Sequence, residues 1–291
     1  MLKLLAIITA VLLLSSIVVV PALCQAPAIS EQTTKAQPQD VAKLLEKAKS
    51  GNPEIAFRLG LAYDQGAGVD RDYASAVKWY TLAADRGLPE AQVNLGILYL
   101  FGRGVGADDD RAAQWFMRAA TANYALGQYN LGSLYLQGRG VGKSSALALH
   151  WFQRASSRKL PLADFALGAM YLKGIGCERD LQQGRNLMER AAKSGIPEAQ
   201  NNVALLYLYG VGVEKNYGKG LSWLRKAAEN GVADSQANMG FVYRSGSFGL
   251  KADEKLAADW FEKARANGWS EQSRKTNPIF EIGQQGWRSG E

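Results

Sequence analysis

Histidine and cysteine are almost absent from this chain of 291 residues, which has one histidine and two cysteines. His150 alone excludes a metal site with several histidines and disfavours a Ser-His-Asp arrangement. If Cys24 is removed with an N-terminal leader, Cys177 has no partner for an internal disulfide. We therefore expect no catalytic residues, no metal and no cofactor, and we predict that the protein is not an enzyme.

Two further absences narrow the choice of partner. The chain lacks a dense basic run, because its 34 lysines and arginines are interspersed with 27 acidic residues. We therefore expect no nucleic-acid binding. The segment from Gln137 to Ser144 resembles a phosphate loop, but Gln137 stands where that motif requires glycine, and a predicted helix precedes it. A nucleotide site is not expected there.

The chain does contain a stretch that recurs every 36 residues. Its copies begin at Leu59, Leu95, Leu131, Leu167, Val203 and Met239. One inserted residue, near Ser247-Phe248, breaks the spacing in the last copy. A fixed period of this length indicates an array of structural repeats.

Each copy predicts a first helix, helix A, that ends at a glycine. A tyrosine occurs in every copy, and so does a glycine three residues after it, as in Tyr99 and Gly102. Such a glycine is typical of a helix C-terminus with positive φ. The glycine of the Leu-Gly pair is replaced by Ala204 in the fifth copy. This site therefore needs a small side chain, and we expect a neighbouring helix to approach it closely.

A second helix, helix B, follows each Gly-rich loop. Its marks are a tryptophan and two alanines four and five residues later, as in Trp115, Ala119 and Ala120. This spacing places the large and small side chains on one helical face. We therefore expect the tryptophan and the alanines to interlock with neighbouring helices at native packing density.

The segment from Ala91 to Ala120 resembles the Sel-1-like repeat, a relative of the tetratricopeptide repeat, in its Asn-Leu-Gly, Tyr, Gly-x-Gly-Val, Trp and Ala-Ala marks. The resemblance covers about residues 41–269. It implies an all-α fold, a right-handed α/α superhelical solenoid of six 36-residue helix-loop-helix repeats with an N-terminal capping helix. Some secreted members carry a cysteine pair in each repeat and are associated with β-lactam binding or hydrolysis. This chain lacks those cysteines.

The repeat marks also set domain boundaries. We place the capping helix at 41–51, with Lys43 where a repeat has tryptophan, and a C-terminal cap or irregular tail at 270–291. The last helix B carries Arg265 in place of the second alanine, as expected where little packs beyond it. The six repeats are expected near 53–88, 89–124, 125–160, 161–196, 197–232 and 233–269.

The N-terminus predicts export. The segment from Leu4 to Val20 is uncharged and follows Lys3, which is typical of a signal peptide over residues 1–24, with cleavage after Ala22, Cys24 or Ala28. A disordered linker is expected at 25–40. An uncleaved anchor is the alternative, because the uncharged segment is near the lower limit for spanning a bilayer. We expect a periplasmic or secreted protein, or a membrane-anchored one with its repeats outside the cytoplasm.

A partner-binding face follows from the phase of helix A, since relatives of this architecture line their concave side with A helices. Asparagine amides both donate and accept hydrogen bonds, and aromatic neighbours supply contact area, which favours a protein or peptide partner. Alternatively, the asparagine row is a structural mark of the family and its neighbours pack between helices. The predicted partner-binding residues are Arg58, Asn94, Asn130, Asn202, Asn238, Phe57, Tyr129, Phe165, Phe101 and Tyr209.

Together these features predict an exported, monomeric, non-catalytic scaffold that binds a protein or peptide on its concave face. The resemblance suggests an adaptor or regulator in a bacterial envelope. Two alternatives stay open: an enzyme acting on cell-wall or β-lactam-type compounds, and a structural spacer tethered to the membrane through Leu4–Val20.

Overall fold

The computed structural model describes residues 38–48 and 51–270, and these residues form α-helices joined by loops, without strands. The all-α helical repeat fold is thereby confirmed. None of the described helices has the length and apolar character needed to cross a membrane. The predicted leader and nearly all of the predicted tail lie outside the described residues. The helices are α1 Pro38–Ala48, α2 Pro53–Gln65, α3 Tyr73–Asp85, α4 Pro89–Phe101, α5 Asp109–Thr121, α6 Ala125–Gln137, α7 Ser145–Ser157, α8 Pro161–Lys173, α9 Leu181–Lys193, α10 Pro197–Tyr209, α11 Tyr217–Glu229, α12 Ala233–Ser245 and α13 Glu254–Ala266.

The chain divides into two compact units between residues 163 and 164, inside α8. The described part of the first unit comprises residues 38–48 and 51–163, and that of the second comprises 164–270. Each unit has its own clusters of buried apolar side chains. Each cluster joins the two helices of a repeat to a helix of a neighbouring repeat, as expected for a repeat array.

Helix A has a characteristic residue at its C-terminus and helix B has one at its N-terminus, where backbone groups lack partners within the helix. Helix A ends at a glycine in the left-handed region, such as Gly66 (φ 72°) and Gly102 (φ 65°), which confirms the predicted helix stops. Helix B begins at a polar residue whose side chain accepts a backbone N–H of the first turn. Asp108 does so from Arg111 at 2.9 Å. The corresponding caps in the other repeats are Asp72, Ser144, Asp180, Asn216 and Asp253.

The close approach predicted at the Leu-Gly glycine is present, and the residue that makes it is the one after the tryptophan. A Cβ atom on Gly96 would lie 2.6 Å from Cε1 of Phe116, the residue that follows Trp115. Phe116 is fully buried, whereas Trp115 is only partly buried. Phe116 lies about 100° around helix B from Trp115, so it faces helix A at this contact and the tryptophan does not. The fully or largely buried residues at this position are Tyr80, Phe116, Phe152, Met188, Leu224 and Phe261.

In the second, third and fifth repeats, the second glycine of the loop lies against the preceding repeat. Gly140 has φ 62°, and a Cβ atom there would clash with the backbone of Asp109 at the start of α5 in the preceding repeat. Gly104 lies in the same way against the backbone of Tyr73 at the start of α3. The loop therefore touches its neighbour through the backbone, where no side chain fits.

A glutamine near the start of helix A makes a second connection between repeats. The Gln92 side chain donates to the backbone carbonyl of Ala84, at the end of the preceding helix B, over 3.1 Å. Gln128, Gln200 and Gln236 make the same bond to Ala120, Ala192 and Ala228. Each of these carbonyls also accepts a backbone N–H of the turn that follows its helix, such as Gly87 to Ala84 over 3.0 Å, and the glutamine amide supplies a second donor from the next repeat. In the fourth repeat Asp164 takes this position and accepts from Arg190 at 2.8 Å instead.

The described ends of the array are closed by different devices. Helix α1 runs from Pro38 to Ala48. It begins inside the segment predicted as linker, because proline is well tolerated in the first turn of a helix. Its Val41 is buried in a cluster with Leu59, while Lys43 is exposed. At the other end Arg265 is exposed, and the buried Trp269 ring lies 5.9 Å from that of Phe261.

Candidate binding site

A cavity of about 420 Å³ lies in the first unit, where the first and second repeats meet. Its size falls in the range of pockets that hold small ligands or single side chains. The lining is mostly polar and includes one carboxylate and two guanidinium groups. The lining residues are Asp64, Gln65, Arg71, Tyr73, Asn94, Ile97, Leu98 and Arg103.

The repeat loops bring these side chains together. Asp64 lies at the C-terminal end of α2, one residue before its last residue. The chain then reverses at Gly66, and Asp72 donates its backbone N–H to the carbonyl of Tyr63 over 2.9 Å. This closed loop carries Arg71 back alongside the end of α2. The next loop supplies Arg103, which follows the left-handed Gly102 at the end of α4.

Asp64 is a partly buried carboxylate held by a buried phenol. The Tyr80 hydroxyl donates to Asp64 Oδ2 over 3.1 Å, and the Asn94 amide faces the same hydroxyl. Burial raises the pKa of the Asp64 carboxyl, while the Tyr80 hydrogen bond and the charges of Arg103 and Arg71 oppose that rise. Burial therefore makes the charged form of Asp64 costly, and titratable groups perturbed by burial and by specific charged partners are frequent at functional sites.

Both Asp64 and Tyr80 depart from the pattern of the other repeats. The position of Asp64 is leucine in the next four repeats and Arg244 in the last, and the position of Tyr80 is otherwise Phe, Met or Leu. A polar group at an apolar core position lowers stability unless it is satisfied. Here two such changes satisfy each other and face one cavity. A position-by-position comparison of the repeats reveals this pair in the sequence, whereas the phase of helix A does not.

Arg103 differs from its counterpart one repeat later, Arg139. Arg139 makes a bidentate ion pair with Asp109, at 2.7 and 3.0 Å. The residue corresponding to Asp109 in the first repeat is Tyr73, and the Arg103 guanidinium lies 5.8 Å from its ring centre. Among the described residues no carboxylate is within ion-pairing distance of Arg103 or Arg71. The pocket therefore contains two cationic groups that are not neutralised by direct contact.

The ten residues predicted from the phase of helix A are distributed over both units. Asn94 lines the cavity, and the Phe101 ring lies 5.5 Å from the Arg103 guanidinium. Phe57, Tyr129, Asn130 and Asn238 are buried in the described structure. Asn202, Phe165 and Tyr209 are partly buried, and Arg58 is exposed. The partner-binding role of these ten residues stays a prediction, and Asn94 is the member that contributes to the cavity.

Aromatic contacts explain the burial of two members. The Phe57 ring lies 5.8 Å from Tyr80, and the Tyr129 ring lies 5.5 Å from Phe152. In both repeats the aromatic residue of helix A packs on the large residue of helix B that also covers the Leu-Gly glycine. The phase of helix A alone placed these side chains on the predicted partner-binding face, because it does not include the packing of helix B.

Other chemically reactive residues are scattered through the described chain. His150 is exposed. Cys177 is a partly buried free thiol, and burial raises its pKa, assisted by Asp180. The described residues contain no group of three or more His, Cys, Asp and Glu side chains that could hold a metal ion.

Replacing Asp64 by asparagine should stabilise the protein at neutral pH. Because the folded-state pKa of Asp64 is raised, its contribution to stability is fully present below the ordinary aspartate pKa and is lost as the pH rises through the folded value. Asparagine keeps an oxygen for the Tyr80 hydroxyl and carries no charge. We expect Asp64→Asn to melt above the wild type at pH 7, with a difference that shrinks towards about pH 4.

The groups that face this carboxyl are Tyr80, Asn94, Arg71 and Arg103. Parallel thermal melts of Asp64→Asn, Asp70→Asn and the wild type across this pH range check the prediction. Asp70 is an exposed aspartate in the same loop and serves as the matched control. A lower melting temperature for Asp64→Asn at pH 7 would contradict the proposed cost of the charge.

The comparisons with known proteins agree with the repeat architecture. The family model described as Sel1 repeat matches residues 53–88, 89–124, 125–160, 161–196, 197–232 and 233–269. These six matches cover most of the chain, and the chain belongs to the Sel1 repeat family. Proteins of this family are helical repeat scaffolds for protein interaction. No curated protein matches the chain significantly.

Two solved structures illustrate the similarity. The chain is 29% identical to a Sel1 repeat protein from Oxalobacter formigenes, covering 78% of this chain and 90% of that chain with a TM-score of 0.73. It is 30% identical to a protective antigen present in uropathogenic Escherichia coli strains that displays an SLR fold. That match covers 87% of this chain with a TM-score of 0.70, but spans only 53% of the E. coli chain.

Proposed function

We propose that this Sel1 repeat protein is an exported, non-catalytic scaffold that holds a protein or peptide partner at the cavity between its first and second repeats. The family supports a role in protein interaction. The N-terminal segment Leu4–Val20 supports export, and a similar E. coli protein being a protective antigen is in line with a location in the bacterial envelope.

One observation carries the proposal. Two core positions, Asp64 and Tyr80, have become polar at the same cavity, while Arg103 and Arg71 face it without a direct ionic partner. A repeat that served only to extend the array would keep leucine and phenylalanine there, as the following repeat does. Binding of a partner accounts for polar groups that folding alone does not require.

Affinity capture with paired variants tests the proposal. The full chain is immobilised and exposed to the envelope fraction of its source, and retained proteins are compared between wild type and the double variant Arg71→Gln/Arg103→Gln. We expect a specific protein to be retained by the wild type and lost with the double variant, because glutamine keeps hydrogen-bonding capacity without the charge.

The matched control is Arg158→Gln, which removes an exposed arginine side chain in the same unit. Arg158 caps the end of α7 through its backbone N–H, which the substitution keeps. Thermal melts of each variant verify that the fold is retained. Retention of the same proteins by wild type and double variant would contradict binding at this cavity.

A further inference from the structure

The charge balance of the cavity indicates what kind of group it accepts. Asp64 supplies one negative charge, and Arg71 and Arg103 supply two positive charges, so the described lining carries a net charge of +1. The one carboxylate already accepts from Tyr80 over 3.1 Å. The guanidinium groups, with five N–H donors each, retain most of their capacity. The cavity is therefore rich in donors and short of acceptors.

Arg103 is oriented by aromatic rings rather than by a carboxylate. Its guanidinium lies 5.5 Å from the Phe101 ring centre and 5.8 Å from that of Tyr73. Aromatic faces hold a guanidinium in place but leave its edge N–H groups free for another acceptor. One repeat later the equivalent Arg139 uses those same groups on both oxygens of Asp109. The chain itself thus shows which group this arginine position binds when one is available.

Arg71 is held only weakly by its own loop. Its Nη2 donates to the carbonyl of Gln65 over 3.4 Å, near the upper limit for a hydrogen bond. Both Arg71 and Arg103 act on the Asp64 carboxyl through their charge without an ion-pair contact. Both line the same cavity, and neither makes a direct ion pair with the carboxylate already present.

We propose, on the basis of the proposed function, that the cavity receives an acidic side chain of the bound partner, with its carboxylate against Arg71 and Arg103. The arrangement repeats the Arg139–Asp109 pair. The first repeat has Tyr73 at the position of Asp109, so the partner supplies the carboxylate that Arg103 lacks. Gln65 offers its exposed amide to the peptide backbone that flanks the acidic residue, and Ile97 contacts its methylene groups. The volume of about 420 Å³ accommodates one such side chain with its flanking backbone.

A peptide titration tests this inference on the full chain. The probe is a fluorescently labelled peptide with blocked termini and a single central glutamate, and its comparison is the same peptide with glutamine. We expect the glutamate peptide to bind about tenfold or more tightly, because a charge-assisted bond to arginine is lost in the amide. Arg103→Gln should remove this preference, and Arg158→Gln should leave it unchanged.

The Asp64→Asn variant distinguishes the cavity from a general basic surface. Removing the competing carboxylate raises the net charge of the lining, so this variant should bind the glutamate peptide more tightly than the wild type. Weaker binding by Asp64→Asn, or equal binding of the glutamate and glutamine peptides, would overturn the inference.

Two further probes separate the possible sources of the anion. A glutamine peptide with a free C-terminal carboxylate and inorganic phosphate are used as competitors. If either displaces the probe more effectively than the unlabelled glutamate peptide does, the acidic side chain is the wrong source and the inference fails. If the captured partner still depends on Arg71 and Arg103 while the glutamate preference is absent, only this inference fails and the proposed function stands.

Discussion

Replacing Gly140 by alanine is expected to destabilise the protein strongly, whereas the same change at Gly142, two residues away, should have little effect. Gly140 has φ 62°, which costs an alanine about 1–2 kcal/mol. Its new Cβ would also enter the space of the Asp109 backbone, which belongs to the start of α5 and cannot rotate away as a side chain can. With the cost of overpacking added, the expected loss is about 2–5 kcal/mol.

Gly142 provides a control of the same residue type in the same loop. It is exposed, and a Cβ atom there would meet no atom within 4 Å. Denaturant unfolding of the wild type, Gly140→Ala and Gly142→Ala gives the comparison directly. Similar unfolding midpoints for all three proteins would show that the loop does not rest on the preceding repeat as described.

The second large effect is expected at the contact between the two helices of one repeat. Leucine in place of Gly96 should cost about 1–3 kcal/mol, since a Cβ alone would lie 2.6 Å from the Phe116 ring. The fifth repeat shows how this contact can be relaxed, because Ala204 and Leu224 occupy the equivalent positions and are both buried in one cluster. The small and the large residue are therefore matched as a pair.

A double-mutant cycle checks the matching. Gly96→Ala alone should destabilise by steric conflict, and Phe116→Leu alone should do so by leaving a cavity. The double variant Gly96→Ala/Phe116→Leu reproduces the fifth repeat and should lose less stability than the sum of the single changes. Unfolding midpoints of the four proteins provide the coupling energy, and strict additivity would argue against the pairing.

The repeat period made much of this fold predictable. Invariant glycines predicted helix stops that are present at Gly66 and Gly102, and the replacement by Ala204 predicted the close helix contact. Trp115 packs against the apolar cluster of the preceding repeat, as expected of a large side chain beside small ones. The role of Phe116 could not be predicted from the period, because it becomes visible only when helices A and B are seen together.

The cavity was harder to predict for a different reason. Searching for residues shared by all repeats finds what the architecture needs, whereas a binding site is formed where one repeat departs from the others. Asp64 and Tyr80 are such departures, and they are recognised only when the first repeat is compared with the others. Asn94 was predicted because it belongs to a recurring row, yet its place in the cavity depends on the neighbouring repeat.

The paired fit of Gly96 with Phe116, and of Ala204 with Leu224, limits how such a gene can be rearranged. Duplication or loss of a whole 36-residue segment keeps each small residue with its own large one. A crossover inside a segment that joined the helix of Ala204 to that of Phe116 would bring an alanine against a phenylalanine. Recombination is therefore tolerated best at the turns between repeats, so arrays of this kind can lengthen by entire copies.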